Sequence, residues 1–166
     1  MYGLVNQAIK EGPEGFSQEE WVSAIDALGL RFSVDSGRDM AKLHIRVVAD
    51  KVNAENQEAA FDLIAKLLQS PAFREEDLER LRQQQQVLLL EESQNPAIIA
   101  EKTWTSLVFN DDAYRHWPHG SVSDLAFMST SQVRAFYDRY YRPETLVISM
   151  VGDLSGIDAK NLLEMR

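Results

Sequence analysis

Two histidines and two aspartates lie close together in one polar segment of the chain. Asp111, Asp112, His116 and His119 fall within nine residues, and imidazole and carboxylate groups are the N and O ligands of zinc sites. Pro118 separates the two histidines, so they cannot share one face of a regular helix. The alternative is a surface loop whose polar groups face water. His116 and His119 are therefore candidate metal ligands on residue type and spacing alone.

Paired carboxylates and a third histidine are the other groups that could do chemistry. Each acidic pair lies in a predicted helix, where neighbouring side chains point about 100° apart, so we expect solvated faces and not a general acid and base. His44 lies on the polar face of a predicted strand, where we expect it to be solvated. There is no Gly-x-Ser-x-Gly elbow and no Gly-rich phosphate loop. The acidic pairs are Glu19–Glu20, Glu75–Glu76 and Glu91–Glu92.

Composition excludes several classes of function. The 166 residues are 45% hydrophobic and 26% charged, which is typical of one globular domain. A net charge of -9 without a basic stripe argues against nucleic acid and anionic lipid as partners. The chain has no cysteine, which removes disulfides and thiolate chemistry. No apolar run approaches the ~20 residues of a membrane span, and the first residues do not have the pattern of a signal peptide.

Helical patterns dominate the elements that must position these groups. Capping boxes start helices at Ser17 and Ser129, and Asn95 caps a third whose first residue is Pro96. Apolar residues recur at helical spacing over residues 53–70 and 74–94, with Leu88 in the apolar stripe of the second segment. We expect Tyr137, Tyr140 and Tyr141 in a core or an interface, and residues 110–120 as a polar loop. A last helix is predicted from Ser155.

Three strands complete the prediction. Apolar and polar residues alternate over residues 30–35 and 42–47, with a turn at 36–39, and this pattern predicts a hairpin. A third strand is predicted over Thr145–Val151. The fold class is therefore α+β, an antiparallel sheet covered by helices. Three strands are few for so many amphipathic helices, so residues 1–166 are expected to be one domain of a longer protein, lacking one or more N-terminal strands.

Four segments, in order, resemble the pitrilysin/insulinase family, which includes mitochondrial processing peptidases and bacterial zinc proteases. The hairpin after Leu28-Gly29-Leu30 comes first, followed by PAFREEDLERLR…VLLLEESQNP from Pro71. The third segment is Tyr114-Arg115-His116…Gly120-Ser121. The most specific is the block FYDRYYRPETLVISMVGD, residues 136–153. The resemblance covers residues 3–166 and implies one truncated half-domain of a fold built from repeated α+β units that assemble pairwise into a closed chamber.

Active members of this family are zinc endopeptidases, and the resemblance can be followed residue by residue. Their motif His-x-x-Glu-His puts two zinc ligands on one helix, with the Glu as general base, and a Glu from a later helix is the third ligand. Counting back from Gly12 places the two histidine positions at Gly3 and Gln7 and the general base at Asn6. Counting from Pro96 places the third ligand at Leu88. None of these residues can perform the family role, so the resemblance implies no catalytic residue and no zinc in this chain.

The resemblance thus implies a non-catalytic zinc-protease-like domain that builds the chamber and binds peptide for a heteromeric metallopeptidase. Its expected partners are a catalytic subunit of the same family and peptide or unfolded substrate. Two alternatives stay open. One is an active zinc endopeptidase whose metal motif lies outside these residues, and the other is a structural core-type subunit without a proteolytic partner. The compartment is not fixed by the sequence, although bacterial relatives of this kind are often periplasmic.

Overall fold

The secondary structure follows the helical and alternating patterns over most of the chain. A computed structural model describes residues 2–47 and 54–152. These ranges contain seven α-helices, one two-stranded antiparallel sheet and two one-turn 3₁₀ helices, at Ala113–Arg115 and Pro143–Thr145. The strands are β1 (Leu30–Ser36) and β2 (Ala41–Val47). The helices are α1 (Tyr2–Ile9), α2 (Gln18–Ala27), α3 (Ala54–Gln69), α4 (Glu75–Gln94), α5 (Pro96–Val108), α6 (Val122–Ala126) and α7 (Thr130–Tyr140).

Local capping fixes where several helices begin. Ser17 and Ser129 form the predicted capping boxes of α2 and α7. Each serine hydroxyl accepts a hydrogen bond from the backbone N–H of the third helical residue, and the side chain of that residue accepts one from the serine backbone N–H. Asn95 caps α5 with Pro96 at the first position. Ser121 caps the short helix α6 in the same way as the other serines, which the sequence analysis did not predict.

The predicted hairpin is present with its polar and apolar faces as expected. β1 pairs with β2 from Leu30 opposite Val47 to Ser36 opposite Ala41, without a bulge. Phe32 and Ile45, which face each other, pack against the core on one side of the sheet. The other side is exposed. This register places every second residue of both strands on the solvent face.

The core lies between the helices and the apolar face of the hairpin. Its buried hydrophobic residues come from α1, α2, β1, α3, α4, α6 and α7 and from the segments that join them. Each fully buried Leu or Val side chain contributes about 1.5–3 kcal/mol relative to an exposed one. The most completely buried are Leu30, Leu67, Leu78, Leu125, Val5 and Val133. α1, whose helical character was not recognised from the periodicity, packs on both α4 and β1.

The predicted strand at Thr145–Val151 is wrong for this structure. Pro143–Thr145 forms a 3₁₀ turn, and residues 146–151 have no regular structure. Val147 and Val151 are 91% and 96% exposed. A strand requires a neighbouring strand for its backbone hydrogen bonds, and within residues 2–47 and 54–152 the only sheet is β1–β2. The helix predicted from Ser155 lies outside the described residues.

The α+β class is confirmed, with helices packed on a two-stranded antiparallel sheet. Among the helices that the structure describes, none combines the length and the apolar character that crossing a bilayer requires.

Candidate functional site

Helix α1 and helix α4 bring together positions that the family pattern assigns to zinc. Gly3 and Gln7 are four residues apart on α1, so they lie on the same side of that helix. Gln7 and Leu88 line one cavity of about 240 Å³, together with Leu4, Leu81 and two glutamines of α4. Residues 81 positions apart in the sequence, both matched by the resemblance to ligand positions, therefore meet across one opening. We call this opening the α1–α4 cavity.

Asn6, at the general-base position, is a structural residue. Its side chain is 1% exposed, and its Nδ2 donates to Ser36 Oγ at 2.7 Å. The Tyr141 hydroxyl donates to Asn6 Oδ1. Both ends of the amide are hydrogen-bonded, as buried polar groups require, and they join α1 to the end of β1 and to the residue after α7.

The residues at the four matched positions do not fit a zinc ion. Gly3 has no side chain, Leu88 has no donor atom, and the amides of Asn6 and Gln7 are neither the imidazole nor the carboxylate ligands that zinc sites use. Over the described ranges, no group of three or more His, Asp or Glu side chains is placed to hold a metal. These four positions therefore offer neither a zinc ligand nor a general base.

The structure separates the two histidines proposed as metal ligands. His116 is exposed at the end of the 3₁₀ turn. His119 turns inward, and its Nδ1 lies 2.5 Å from Oε1 of Glu92. The alternative of a loop whose polar groups all face water is therefore wrong for His119. Its partner is a carboxylate of α4, and neither Asp111 nor Asp112 is within ion-pair distance of it.

Glu92, predicted on a solvated helix face, is instead the buried centre of a polar cluster. Its side chain is 5% exposed. Oε2 accepts from Lys102 Nζ at 2.7 Å and from Trp117 Nε1 at 2.9 Å, while Oε1 meets His119. Lys102 also lies over the Trp117 ring, 5.1 Å from its centroid. The expectation for the other five members of the acidic pairs is confirmed, since Glu19, Glu20, Glu75, Glu76 and Glu91 are exposed.

The hydrogen bonds to Glu92 decide its ionisation. Burial by itself raises the pKa of this carboxyl, but the bonds from Lys102, His119 and Trp117 outweigh burial and hold the pKa below its ordinary value. Glu92 is thus a carboxylate at neutral pH, and it fastens the 110–120 segment to α4 and α5. We call Glu92, Lys102, Trp117 and His119 the Glu92 cluster.

A second set of contacts joins the same segment to the hairpin. The Arg38 guanidinium, in the turn between β1 and β2, donates to the backbone oxygens of Tyr114 and His116 at 2.5 and 3.1 Å. It also lies 5.7 Å from the centroid of the Trp117 ring. The Tyr114 hydroxyl donates to Asp39, and this contact raises the pKa of Tyr114. Residues 110–120 are therefore held from both sides.

A cleft of about 240 Å³ opens between α2 and β1. Its wall is mainly apolar, with Trp21, Val22, Ile25, Leu30 and Phe32, and its charged residues are Lys10, Glu11 and Arg31. Trp21 packs beside Phe32 with the rings tilted by 43° and their centroids 5.5 Å apart, and it donates its Nε1–H to the Lys10 backbone oxygen at 2.9 Å. We call this opening the α2–β1 cleft; these two contacts fix the position of Trp21 in its wall.

The three tyrosines of the α7 region divide between core and surface. Tyr137 is buried and donates its hydroxyl to the Leu68 backbone oxygen. Tyr141 stacks on Tyr137 with ring centroids 4.7 Å apart and reaches Asn6, while Tyr140 is exposed. His44 is exposed on the polar face of β2, as expected. The sequence contained no local signal for the Tyr141–Asn6 pair or for the burial of Glu92.

Comparison with known proteins supports the resemblance stated from the motifs. No family model matches the chain. A probable zinc protease, PqqL of Haemophilus influenzae, is 23% identical over 172 residues, which cover 98% of this chain and 17% of that protein. The chain thus spans about a sixth of the length of this curated relative.

Two solved structures share the fold. The inactive domain of a peptidase M16 from Pseudomonas fluorescens superposes with a TM-score of 0.74 at 23% identity, covering 80% of this chain and 32% of that one. The first half of the periplasmic protease PqqL from Escherichia coli superposes with a TM-score of 0.76 at 16% identity, covering 98% of this chain and 35% of that one. This chain therefore corresponds to about a third of each of those structures.

Proposed function

Since the chain has the pitrilysin/insulinase-like (M16) fold, we propose that it is a non-catalytic zinc-protease-like domain that binds peptide and forms part of the chamber of a heteromeric metallopeptidase. The observation that carries this proposal is the α1–α4 cavity. Gln7 and Leu88 line it together, as family zinc positions would, yet neither residue is a zinc ligand. This shared cavity supports a site that corresponds in position to a peptidase centre and lacks its zinc-binding groups.

Peptide binding is supported by the surroundings of β1. On the side away from β2, β1 pairs with no strand in the part of the chain that the structure describes. An unpaired strand edge offers backbone N–H and C=O groups to an extended peptide, and neighbouring pockets take its alternate side chains. The α2–β1 cleft, with Trp21, Val22 and Ile25 in its wall, is such a pocket. We infer that an extended peptide adds to β1 and places apolar side chains in this cleft.

The partner would supply the zinc centre. On this proposal the protein co-purifies with a family subunit that carries an intact His-x-x-Glu-His motif. The relative from Escherichia coli is a periplasmic protease, and we extend that compartment to this chain as part of the proposal. A structural core-type role predicts association with membrane-complex components in place of a protease.

Zinc content tests the proposal directly. The full-length protein, purified without chelator, is expected to hold less than about a tenth of an equivalent of zinc, because His/Glu sites normally retain the metal tightly. Near-stoichiometric zinc in the unsubstituted protein would contradict the lost-ligand interpretation and favour an active zinc endopeptidase with its motif elsewhere.

Restoring the ligands tests the matched positions themselves. The variant Gly3→His/Gln7→His/Leu88→Glu is expected to bind about one equivalent of zinc, since the three side chains would reproduce a His₂Glu site. A Cβ at Gly3 would meet no atom closer than 3.8 Å, the Pro118 backbone oxygen, so the backbone position accepts a side chain. The matched control is Gly3→His/Gln7→His, which lacks the third ligand and is expected to bind zinc more weakly. A folded triple variant with no more zinc affinity than this control would show that the positions are misassigned.

A further inference from the structure

The solvent face of the hairpin is rich in positive charge although the chain as a whole is acidic. Two arginines, a lysine and a histidine stand on this face with a single carboxylate, and the chain as a whole has a net charge of -9. We call this surface the hairpin polar face. Its six residues, all exposed, are Arg31, Ser33, Asp35, Lys42, His44 and Arg46.

The strand register places like charges directly opposite each other. Arg31 faces Arg46 across the sheet, and His44 faces Ser33. Side chains in such cross-strand positions are about 4.5–5.5 Å apart at Cβ, and like charges there are destabilising. The Arg31–Arg46 pair therefore lowers the stability of the folded chain, and an anion bound between the two guanidinium groups would relieve this repulsion.

Carboxylates of the chain compensate this face only in part. Arg31 makes an ion pair of 2.8 Å with Asp26, but both side chains are more than half exposed, so solvent weakens the pair. Asp35 stands opposite Lys42. For Arg46, no carboxylate in the described ranges lies within ion-pair distance. Among the residues that the structure describes, the face therefore keeps a positive surplus at its Arg31–Arg46 end.

The Arg31–Arg46 end is also the end of β1 that adjoins the α2–β1 cleft, since Leu30, Arg31 and Phe32 line that cleft. A strand added to β1 would lie about 4.8 Å from it, with alternate side chains on the cleft side and on the hairpin polar face. Side chains on the polar face would then stand beside Arg31, with Arg46 one strand further away. Carboxylates at these positions would be attracted by the surplus positive charge of the two arginines.

Resting on the peptide-binding role proposed above, we propose that the hairpin polar face selects extended peptides with acidic side chains at alternate positions. The negative charge of the rest of the chain would repel such a peptide elsewhere and so direct it to this face. The selected class is thus an acidic extended segment, with apolar residues between its carboxylates to enter the α2–β1 cleft.

The test compares labelled peptides of seven residues, the length of β1, that alternate Val with Glu, Gln or Lys. Fluorescence anisotropy with the full-length protein at low salt is expected to give about fivefold to tenfold tighter binding of the Glu peptide than of the Gln peptide, as a few exposed ion pairs would supply. The Lys peptide is expected to bind most weakly. At 1 M salt, where the Debye length is about 3 Å, the three affinities should converge.

In the double variant Arg31→Gln/Arg46→Gln, the binding affinities of the Glu and Gln peptides are expected to differ by no more than about twofold. Arg139→Gln, an exposed arginine on α7, is the matched control and should keep the preference. The salt series on the unsubstituted protein tests the proposal even if the double variant folds poorly.

The outcomes distinguish this inference from the proposed function. Equal binding of the Glu and Gln peptides at low salt, or an undiminished preference in the folded double variant, would overturn acidic selection and leave peptide binding intact. Failure of every peptide to bind would overturn peptide binding itself and acidic selection with it.

Discussion

Replacement of Glu92 by glutamine is the sharpest test of how the 110–120 segment is held. The carboxylate is 5% exposed and receives hydrogen bonds from Lys102, Trp117 and His119. Glutamine has nearly the same shape, but one of its two terminal groups is an NH₂ that cannot accept a hydrogen bond. At least one of the three donors therefore loses its partner, and the charge that attracts Lys102 is removed.

The expected loss of stability in Glu92→Gln follows from how exposed the hydrogen-bond partners of Glu92 are. Breaking a fully buried ion pair costs about 3–5 kcal/mol, and leaving one buried donor unsatisfied costs about 1–3 kcal/mol. The Lys102 and His119 side chains are 30% and 37% exposed, so water replaces part of what they lose. We expect Glu92→Gln to lower the free energy of unfolding by about 2 kcal/mol, which corresponds to a Tm about 4–8 °C lower for a chain of this size.

Urea unfolding measures the global loss, and hydrogen exchange locates it. Exchange should accelerate in residues 110–120 more than in α3 or α7, because the cluster joins that segment to α4 and α5. Glu91→Gln is the matched control, since Glu91 is the exposed neighbour and should change stability by no more than about 0.5 kcal/mol. A loss below that limit for Glu92→Gln, with unchanged exchange in residues 110–120, would refute the reasoning.

The pH dependence follows from the lowered pKa of Glu92. A carboxyl with a lower pKa in the folded state than its ordinary value of 4.5 contributes stability that is fully present above pH 4.5. The contribution is lost as pH falls through the folded-state pKa, where the carboxylate takes up a proton. The stability difference between the unsubstituted protein and Glu92→Gln should therefore be constant near neutral pH and shrink below pH 4.5. A difference that grows on acidification would contradict this assignment.

Two further predictions concern the core. Gly12→Ala is expected to lower stability by about 2 kcal/mol, because Gly12 has φ +119° and an added Cβ would lie 3.0 Å from Trp21 Cγ. Gly37→Ala, in the hairpin turn without a positive φ, is the control, and equal effects in the two variants under urea would count against the strain argument. Burial, and secondarily Asp138, raise the pKa of Tyr137 to about 12. Stability from this group is present below pH 10 and is lost as pH rises through about 12. Tyr137→Phe should remove the component that ionises near pH 12 from an ultraviolet titration of the folded protein, and an unchanged titration would refute the assignment.

The helices and their ends were predictable from the sequence because their signals are local. The capping boxes at Ser17 and Ser129 depend on a residue three positions away, and Asn95 acts on the two residues after Pro96. The hairpin was equally predictable, since the alternation of apolar and polar residues determines which side of each strand is apolar. α1 was not predicted from periodicity, because its eight residues give only about two turns of the apolar pattern Leu4, Val5, Ala8 and Ile9.

The family resemblance identified the four matched positions, whereas the packing of α1 against α4 brings two of them together in the α1–α4 cavity. Gly3, Asn6, Gln7 and Leu88 were named by counting along motifs, and their inability to bind zinc follows from residue type alone. That Gln7 and Leu88 share one cavity depends on how α1 lies against α4. No periodicity in either helix specifies that contact.

The sequence by itself determined the α+β class, the resemblance to the M16 family and the unsuitability of the matched positions for zinc, because composition, caps and motifs are properties of neighbouring residues. The tertiary structure decided the rest. Glu92 meets His119 across 27 positions, and Asn6 meets Tyr141 across 135, so neither burial could be seen in a local pattern. Residues 146–151 are an apolar run typical of a strand but form none, because strand formation depends on a neighbouring edge that the segment's own residues do not specify.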